Sequence, residues 1–283
     1  MARRDRRPPA PGRFVSAAGL RIHIIESGAG DPALLLLHGY LSSTAIWDDA
    51  RLRLSEHQRT VALDLPGCGY SDRPSDAPYD LPWLADTVVA ALDALSLDRV
   101  VLGGHSLGAA VAIHASVRAP DRLAGLVLVS PPAYSPPPPP GLRLARHWPG
   151  LMRTFFASPV GRAAIPPLIR RAGFAGREVE VRERTARLLA HLDAPGGWAA
   201  ATAMGLQLRE HSPDAQLLGQ VSCPTLVVWG DLDRVHPPAA GKLLCGDLGG
   251  QTRLERIGEA GHNVHEEASG PFADAVRRWI ATL

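Results

Sequence analysis

A chain of 283 residues, 46% hydrophobic and 20% charged, has the make-up of a globular protein and is long enough for one sizeable α/β domain. Its formal net charge of +2 is too small for a nucleic-acid-binding face, and its longest apolar runs fall well short of a membrane span. Three scattered cysteines, Cys68, Cys223 and Cys245, point to a reducing cytoplasm rather than a disulfide framework.

Residues 1–13 carry Arg3, Arg4, Arg6 and Arg7 ahead of Pro8, Pro9 and Pro11 and read as a disordered basic tail. No apolar segment follows the arginines, so they do not form a secretory or twin-arginine signal. The first clear strands are Arg21 to Ser27, Ala33 to Leu37 and Thr60 to Leu63. Leu81 to Leu95 has apolar residues at helical spacing, with Pro82 suited to a first turn. A strand beginning Val100-Val101-Leu102 and a further buried strand, Leu123 to Val129, continue the alternation.

The pattern then breaks. Pro136 to Pro140 is a run of five prolines, which favours extended polyproline II over helix or inner strand. From Leu142 to about His211 the text is Arg- and Ala-rich, helical in period and without a convincing strand. We read a helical lid over 135–211, inserted between core segments 14–134 and 212–283, with strands returning at Thr225 to Trp229 and Thr252 to Ile257.

The most informative residues are Gly104-His105-Ser106-Leu107-Gly108. They stand between an apolar strand and the small-residue run Ala109-Ala110-Val111-Ala112-Ile113. This is Gly-x-Ser-x-Gly in the strand, tight turn and helix setting that presents a serine above a sheet edge. A serine hydroxyl is a weak nucleophile and needs a base, which needs an orienting acid. Asp231 and Asp233 follow one later strand, and His262 follows the next, so the order is Ser, Asp, His. Each candidate sits past a strand end, at the carboxyl edge where open α/β sheets bind ligands.

These residues resemble the α/β-hydrolase-fold serine hydrolases of the lidded kind, from about Phe14 to the C-terminus. His38-Gly39-Tyr40 is similar to the family's oxyanion turn. Asp64-Leu65-Pro66-Gly67-Cys68-Gly69-Tyr70-Ser71-Asp72 is similar to its Asp-x-Pro-Gly-x-Gly-x-Ser loop. Cys223 through Pro237 resembles the segment around the acid, and Gly261-His262 with Glu267 and Phe272 the segment around the base. The chain departs from the pattern at Ser269, where the family often has proline. Haloalkane dehalogenases and epoxide hydrolases share the loop but carry aspartate at the nucleophile, so Ser106 disfavours both.

The resemblance implies a mostly parallel sheet flanked by helices, with Ser106 as nucleophile, His262 as base and Asp233 as acid. The family spacing Gly-x-x-Asp-x-x-x-Pro selects Asp233 over Asp231, through Gly230 and Pro237. The Leu107 amide, directly after the nucleophile, would donate to the oxyanion, and the Tyr40 amide would join it by resemblance. Trp148, Phe155, Phe156, Trp198 and Met204 are candidates for an apolar acyl pocket, or for packing within the lid itself. His105 is read as structural, His38 as a loop brace and His265 as an exposed start of the last helix. Asp64 and Ser71 brace the loop beside the pocket, and Cys68 is a small residue within it.

Ester hydrolysis of a small-molecule substrate is the expected activity, with no cofactor and no metal, since no histidine cluster has ligand spacing. Carbon–carbon hydrolysis of ring-cleavage products is the alternative. Those enzymes resemble each other in an Asn before the serine and an additional glycine after it, which this elbow lacks. A non-hydrolytic lyase or a ligand-binding receptor would keep the pocket without hydrolysis, and an intact triad argues against the receptor. The sequence carries no signal for oligomeric state.

Overall fold

The computed structural model describes residues 7–132, 134, 148–171, 178–207 and 213–283. Eight strands form one sheet: β1 (Arg13–Ala17), β2 (Leu20–Ser27), β3 (Ala33–Leu37), β4 (Thr60–Leu63), β5 (Val100–His105), β6 (Leu123–Val129), β7 (Thr225–Gly230) and β8 (Thr252–Ile257). Their order across the sheet is β1-β2-β4-β3-β5-β6-β7-β8. The β1–β2 and β2–β4 pairings are antiparallel, and every pairing from β4 to β8 is parallel.

A parallel sheet must bury both faces, because its crossovers lay helices on each side. The unbroken apolar runs of β3, β5 and β7 meet that demand. Along β3, Ala33, Leu35 and Leu37 enter one core, while Leu34 and Leu36 enter the other. In β7, Val227 and Trp229 take the first side, Leu226 and Val228 the second. The first core packs beneath α2 (Leu81–Ala94) and α3 (Leu107–Arg118); α1 (Asp48–Ser55) and the C-terminal helix Ser269–Ile280 cover the second. Asp80 caps α2 by accepting from the Trp83 amide at 2.8 Å, and Pro82 occupies the first turn as its fixed φ favours.

Within the expected lid, the described residues form five helices: α4 (Pro149–Ala157), α5 (Pro159–Ala163), α6 (Ile165–Arg171), α7 (Glu178–Asp193) and α8 (Gly197–Gln207). They share a small apolar cluster of Ile165, Ile169, Val181 and Leu192, against which Trp198 and Leu41 pack. Asp193 ties three of them. It pairs with Arg162 and accepts from the Trp198 indole at 3.0 Å, while the Arg162 guanidinium lies over the Trp198 ring. The short α9 (Ala215–Leu218) leads into β7, and beyond β7 come α10 (Ala240–Asp247), α11 (Val264–Glu267) and α12 (Ser269–Ile280). No helix among the described residues is long and apolar enough to cross a membrane.

The N-terminal residues differ from the expectation of a free tail ending at residue 13. Arg13 opens β1, the Pro11 carbonyl bonds the His23 ring, and Arg7 lies over the Tyr70 ring. Period alone hid β1, a five-residue strand that is exposed at alternate positions. Residues 1–6, the proline run and the start of the expected lid, 135–147, lie outside the described residues.

Candidate active site

The sheet register brings the strand ends together. Leu37 of β3 pairs with Gly104 of β5, His105 of β5 with Val129 of β6, and Gly230 of β7 with Ile257 of β8. The residues following these ends therefore gather along one edge. Ser106 stands between β5 and α3 with φ +50° and ψ −115°, a backbone conformation in which an L-residue is strained. Its amide donates to the Val129 carbonyl at 2.9 Å, which fixes the turn.

The flanking glycines are required by contact. A Cβ on Gly108 would lie 2.4 Å from the Leu37 carbonyl oxygen, and one on Gly104 would lie 2.2 Å from that of Gly108. Helix α3 thus sits directly on the end of β3. A Cβ on Gly39 would fall 2.8 Å from His105 Nδ1 and 3.4 Å from the Ser106 Cβ. That closeness sets the His38-Gly39-Tyr40 turn against the serine. His38 braces the turn: its Nδ1 lies 2.7 Å from the Gly39 carbonyl, and its Nε2 accepts from the Leu65 amide at 3.0 Å. Neither the Tyr40 nor the Leu107 amide takes part in the turn and loop hydrogen bonds among the described residues.

Asp233 and His262 meet, both buried, with His262 Nδ1 3.0 Å from Asp233 Oδ2. The other carboxylate oxygen of Asp233 accepts from the amides of Val235 (2.8 Å) and His236 (2.9 Å). Burial works to raise the Asp233 carboxyl, but the His262 hydrogen bond and charge, with the two amides, carry it below its ordinary value. It stays ionised. Asp231, by contrast, is exposed and receives the Arg256 Nε at 2.6 Å.

His105 links the elbow to the loop of His262. Its Nε2 donates to the His262 carbonyl at 3.0 Å, and the two rings lie 4.7 Å apart between centroids. Burial, with the nearby His265 and His262, holds His105 well below the ordinary histidine range, so it is neutral. His265 corrects an expectation. It is fully buried within the short helix α11, stacked 4.2 Å from the Trp47 ring and 4.5 Å from His105. Position alone suggested an exposed helix start; the extra turn of α11 rotates it into the core instead.

The Asp64 carboxylate, fully buried, holds the His23 ring at 2.7 Å and accepts from the amides of Thr44 (2.6 Å) and Tyr70 (2.9 Å). It braces its loop, as does Ser71, whose hydroxyl bonds the Asp64 carbonyl. Cys68 lies beside the site with its thiol pushed up to about 12 by burial and by Asp64, so it stays protonated.

Two clefts meet at Leu41 and Ser42, beside the Tyr40 turn. One is apolar and lined by Tyr40, Cys68, Leu188, Leu192, Ala201 and Met204. The other carries Ser43, Arg184, Arg187, His191 and Glu266. Among the four pocket candidates, Met204 lines the apolar cleft. Trp198 lines a separate hollow with Arg153 and Asp193, Trp148 and Phe155 are exposed, and none of the three lines either cleft. The side chain of Phe156 lies outside the described residues.

Two groups here carried no signal in the sequence, and a third, Glu267, was named there without a role. Arg184 of α7 pairs with Glu266 and donates to Asn263 Oδ1 at 3.2 Å, beside His262. His236 packs its ring 5.1 Å from His262. Glu267 bonds the backbone on both sides of His262. Glu267 alone had a signal, its place in the segment around the base.

A family model described as the alpha/beta hydrolase fold matches residues 32–269. A 2-hydroxymuconate semialdehyde hydrolase of Pseudomonas sp. (strain CF600) is 30% identical over 281 residues, covering 96% of this chain and 95% of that protein. A pimeloyl-[acyl-carrier protein] methyl ester esterase of Aeromonas salmonicida (strain A449) is 31% identical over 227 residues, covering 78% of this chain and 84% of its own length. The solved structure of a thermophilic esterase from Thermogutta terrifontis superposes with a TM-score of 0.79 at 26% identity, covering 95% of this chain and 97% of that one.

Proposed function

Because the chain belongs to the α/β hydrolase fold family, we propose that it is a serine hydrolase cleaving a carboxylic ester, or a related acyl bond, of a small and partly apolar molecule. The observation that carries this reading is the buried Asp233–His262 pair, bonded through His105 to the elbow that presents Ser106. His262 takes the Ser106 proton as the hydroxyl attacks the carbonyl carbon. Asp233, held ionised, keeps the Nδ1 proton in place and stabilises the imidazolium that forms. The amides of Tyr40 and Leu107 receive the oxyanion, each such donor being worth about 2.7–4 kcal/mol in the transition state. The tetrahedral intermediate collapses as the His262 imidazolium gives its proton to the departing alcohol oxygen, leaving the acyl-enzyme. Water then attacks this ester with His262 again as base, and the acid is released as the proton returns to Ser106. The helices between β6 and β7 act as a lid, and Met204 with Leu188 and Ala201 forms the apolar wall beside the Tyr40 turn.

Carbon–carbon hydrolysis is the second reading, favoured by the semialdehyde hydrolase that matches nearly the whole chain. It fits that similarity as well as ester hydrolysis does, although the elbow lacks the flanking Asn. A single panel separates the two. Nitrophenyl esters of increasing acyl length are compared with 2-hydroxymuconate semialdehyde, for the wild type and Ser106→Ala. Ester turnover that Ser106→Ala removes supports the first reading. A preference for the semialdehyde of about a hundredfold or more in kcat/KM supports the second.

A further inference from the structure

We propose that Glu267 is the positioning residue for His262, clamping the peptide units on both sides of the base. The base lies beyond the end of β8, so no strand pairing holds its backbone. Glu267 takes over that task. One carboxylate oxygen accepts from the Gly261 amide at 3.1 Å and the other from the Asn263 amide at 3.0 Å. A single rigid group thus spans the residue before His262 and the residue after it.

The remaining contacts complete the clamp. The His262 carbonyl accepts from His105 Nε2, and the Asn263 carbonyl accepts from the Glu266 and Glu267 amides at 2.8 and 2.9 Å. Helix α11, which carries Glu267, is therefore folded back onto the loop it anchors. Asp233 orients the imidazole about its own axis but does not fix where the backbone carries it. Two acceptors on one planar carboxylate, facing two outward amides, set that position. Neither a serine nor an amide side chain offers two acceptor oxygens in this arrangement.

The inference rests on His262 being the base, so the test reads the ring directly as well as the reaction. Glu267→Gln keeps the shape but turns an NH2 group toward one of the amides. Expected for this variant is a shift or broadening of the His262 Nδ1 proton signal shared with Asp233, seen by NMR in the folded protein. Fluorophosphonate labelling of Ser106 and kcat fall together by about 10- to 100-fold, as expected for a sub-ångström to 1 Å displacement of a reacting group. KM stays within about threefold, because the substrate walls are untouched.

Where Glu267→Gln does not fold, Glu267→Asp replaces it. This side chain keeps the charge but is one methylene too short to reach both amides, and the same changes are expected at smaller size. A His262 signal and a kcat equal to wild type in either folded variant overturn the proposal. Lack of labelling in the wild-type enzyme itself overturns the serine hydrolase reading. In that case a displaced His262 signal still supports the clamp, and an unmoved one rejects it.

Discussion

The sheet core and the helical insertion obey different rules. In the core, a change of one residue in register would move every strand side chain to the opposite face, so the chemistry at the strand ends is held by the whole sheet. Among its described residues the insertion has five helices sharing a cluster of four buried aliphatic residues. It meets the core through buried Ala200 and Met204 of α8, which join the main apolar core, and through separate contacts: the Tyr40 hydroxyl to the Ala201 carbonyl at 2.8 Å, Arg184 with Glu266 and Asn263, and the Tyr70–His191 ring contact. Reaction chemistry that needs sub-ångström placement belongs on the first kind of structure. A substrate wall, which discriminates through burial, tolerates the second.

The largest expected effect lies at the elbow. Ser106→Ala is expected to abolish covalent labelling by a fluorophosphonate and to lower kcat by about 10⁶-fold, as loss of a nucleophile does. Labelling that persists at another residue would move the chemistry away from the core edge.

Next come the two aspartates, Asp231 and Asp233, two positions apart in the chain but in opposite surroundings. Asp233→Asn is expected to reduce kcat by about 10³–10⁴-fold, because an amide favours the wrong histidine tautomer. Asp231→Asn, which loses only an exposed pairing with Arg256, is expected to remain within about tenfold of wild type. Steady-state kinetics that reverse this ranking would break the assignment.

Within the insertion, the comparison sharpens between Met204 and Trp198. Met204→Ala opens the apolar cleft and is expected to shift preference among acyl chains, by about 0.8 kcal/mol per methylene accommodated. Trp198→Ala breaks the stack on Arg162 and the bond to Asp193, and is expected to lower the melting temperature with chain-length preference unchanged. Equal preference profiles for both variants would mean that the cleft beside Tyr40 does not receive the acyl group.

The smallest effect is a pH dependence of stability, and it belongs to the core. Burial keeps His265, His105 and His38 below their ordinary value of 6.5 in the folded protein. As pH falls below 6.5 the unfolded chain takes up protons that these residues refuse, so folding stability declines through that window. His23 acts in the opposite sense. Burial opposes its charge, but Asp64 raises its pKa above 6.5, so its contribution is full below 6.5 and fades as pH rises through the raised value. His265→Leu is expected to flatten the acid decline by up to about 1.4 kcal/mol per pH unit, one proton's worth. Urea midpoints between pH 5 and 7 measure it, at roughly the range where histidine titrates. An unchanged slope would show that His265 does not contribute.

What the sequence determined by itself is the part written in local terms. The apolar runs of β3 to β7 have one way to bury two faces, and Gly104 and Gly108 are spaced for a serine turn that admits no other residue at those points. The fold, and the strand ends after which Ser106, Asp233 and His262 stand, were legible for that reason. The contacts of His265, Arg184 and Glu267 were not. Each depends on a contact between segments whose approach is set by packing: α11 turning His265 beneath Trp47, α7 carrying Arg184 to Glu266, and the α11 loop closing Glu267 onto the peptides beside the base. Which of the candidate pocket residues line the cleft was hidden for a related cause. Aromatic character marks a side chain that needs burial somewhere, but only the docking of α8 on Tyr40 decided that Met204, and not Trp198, faces the cleft.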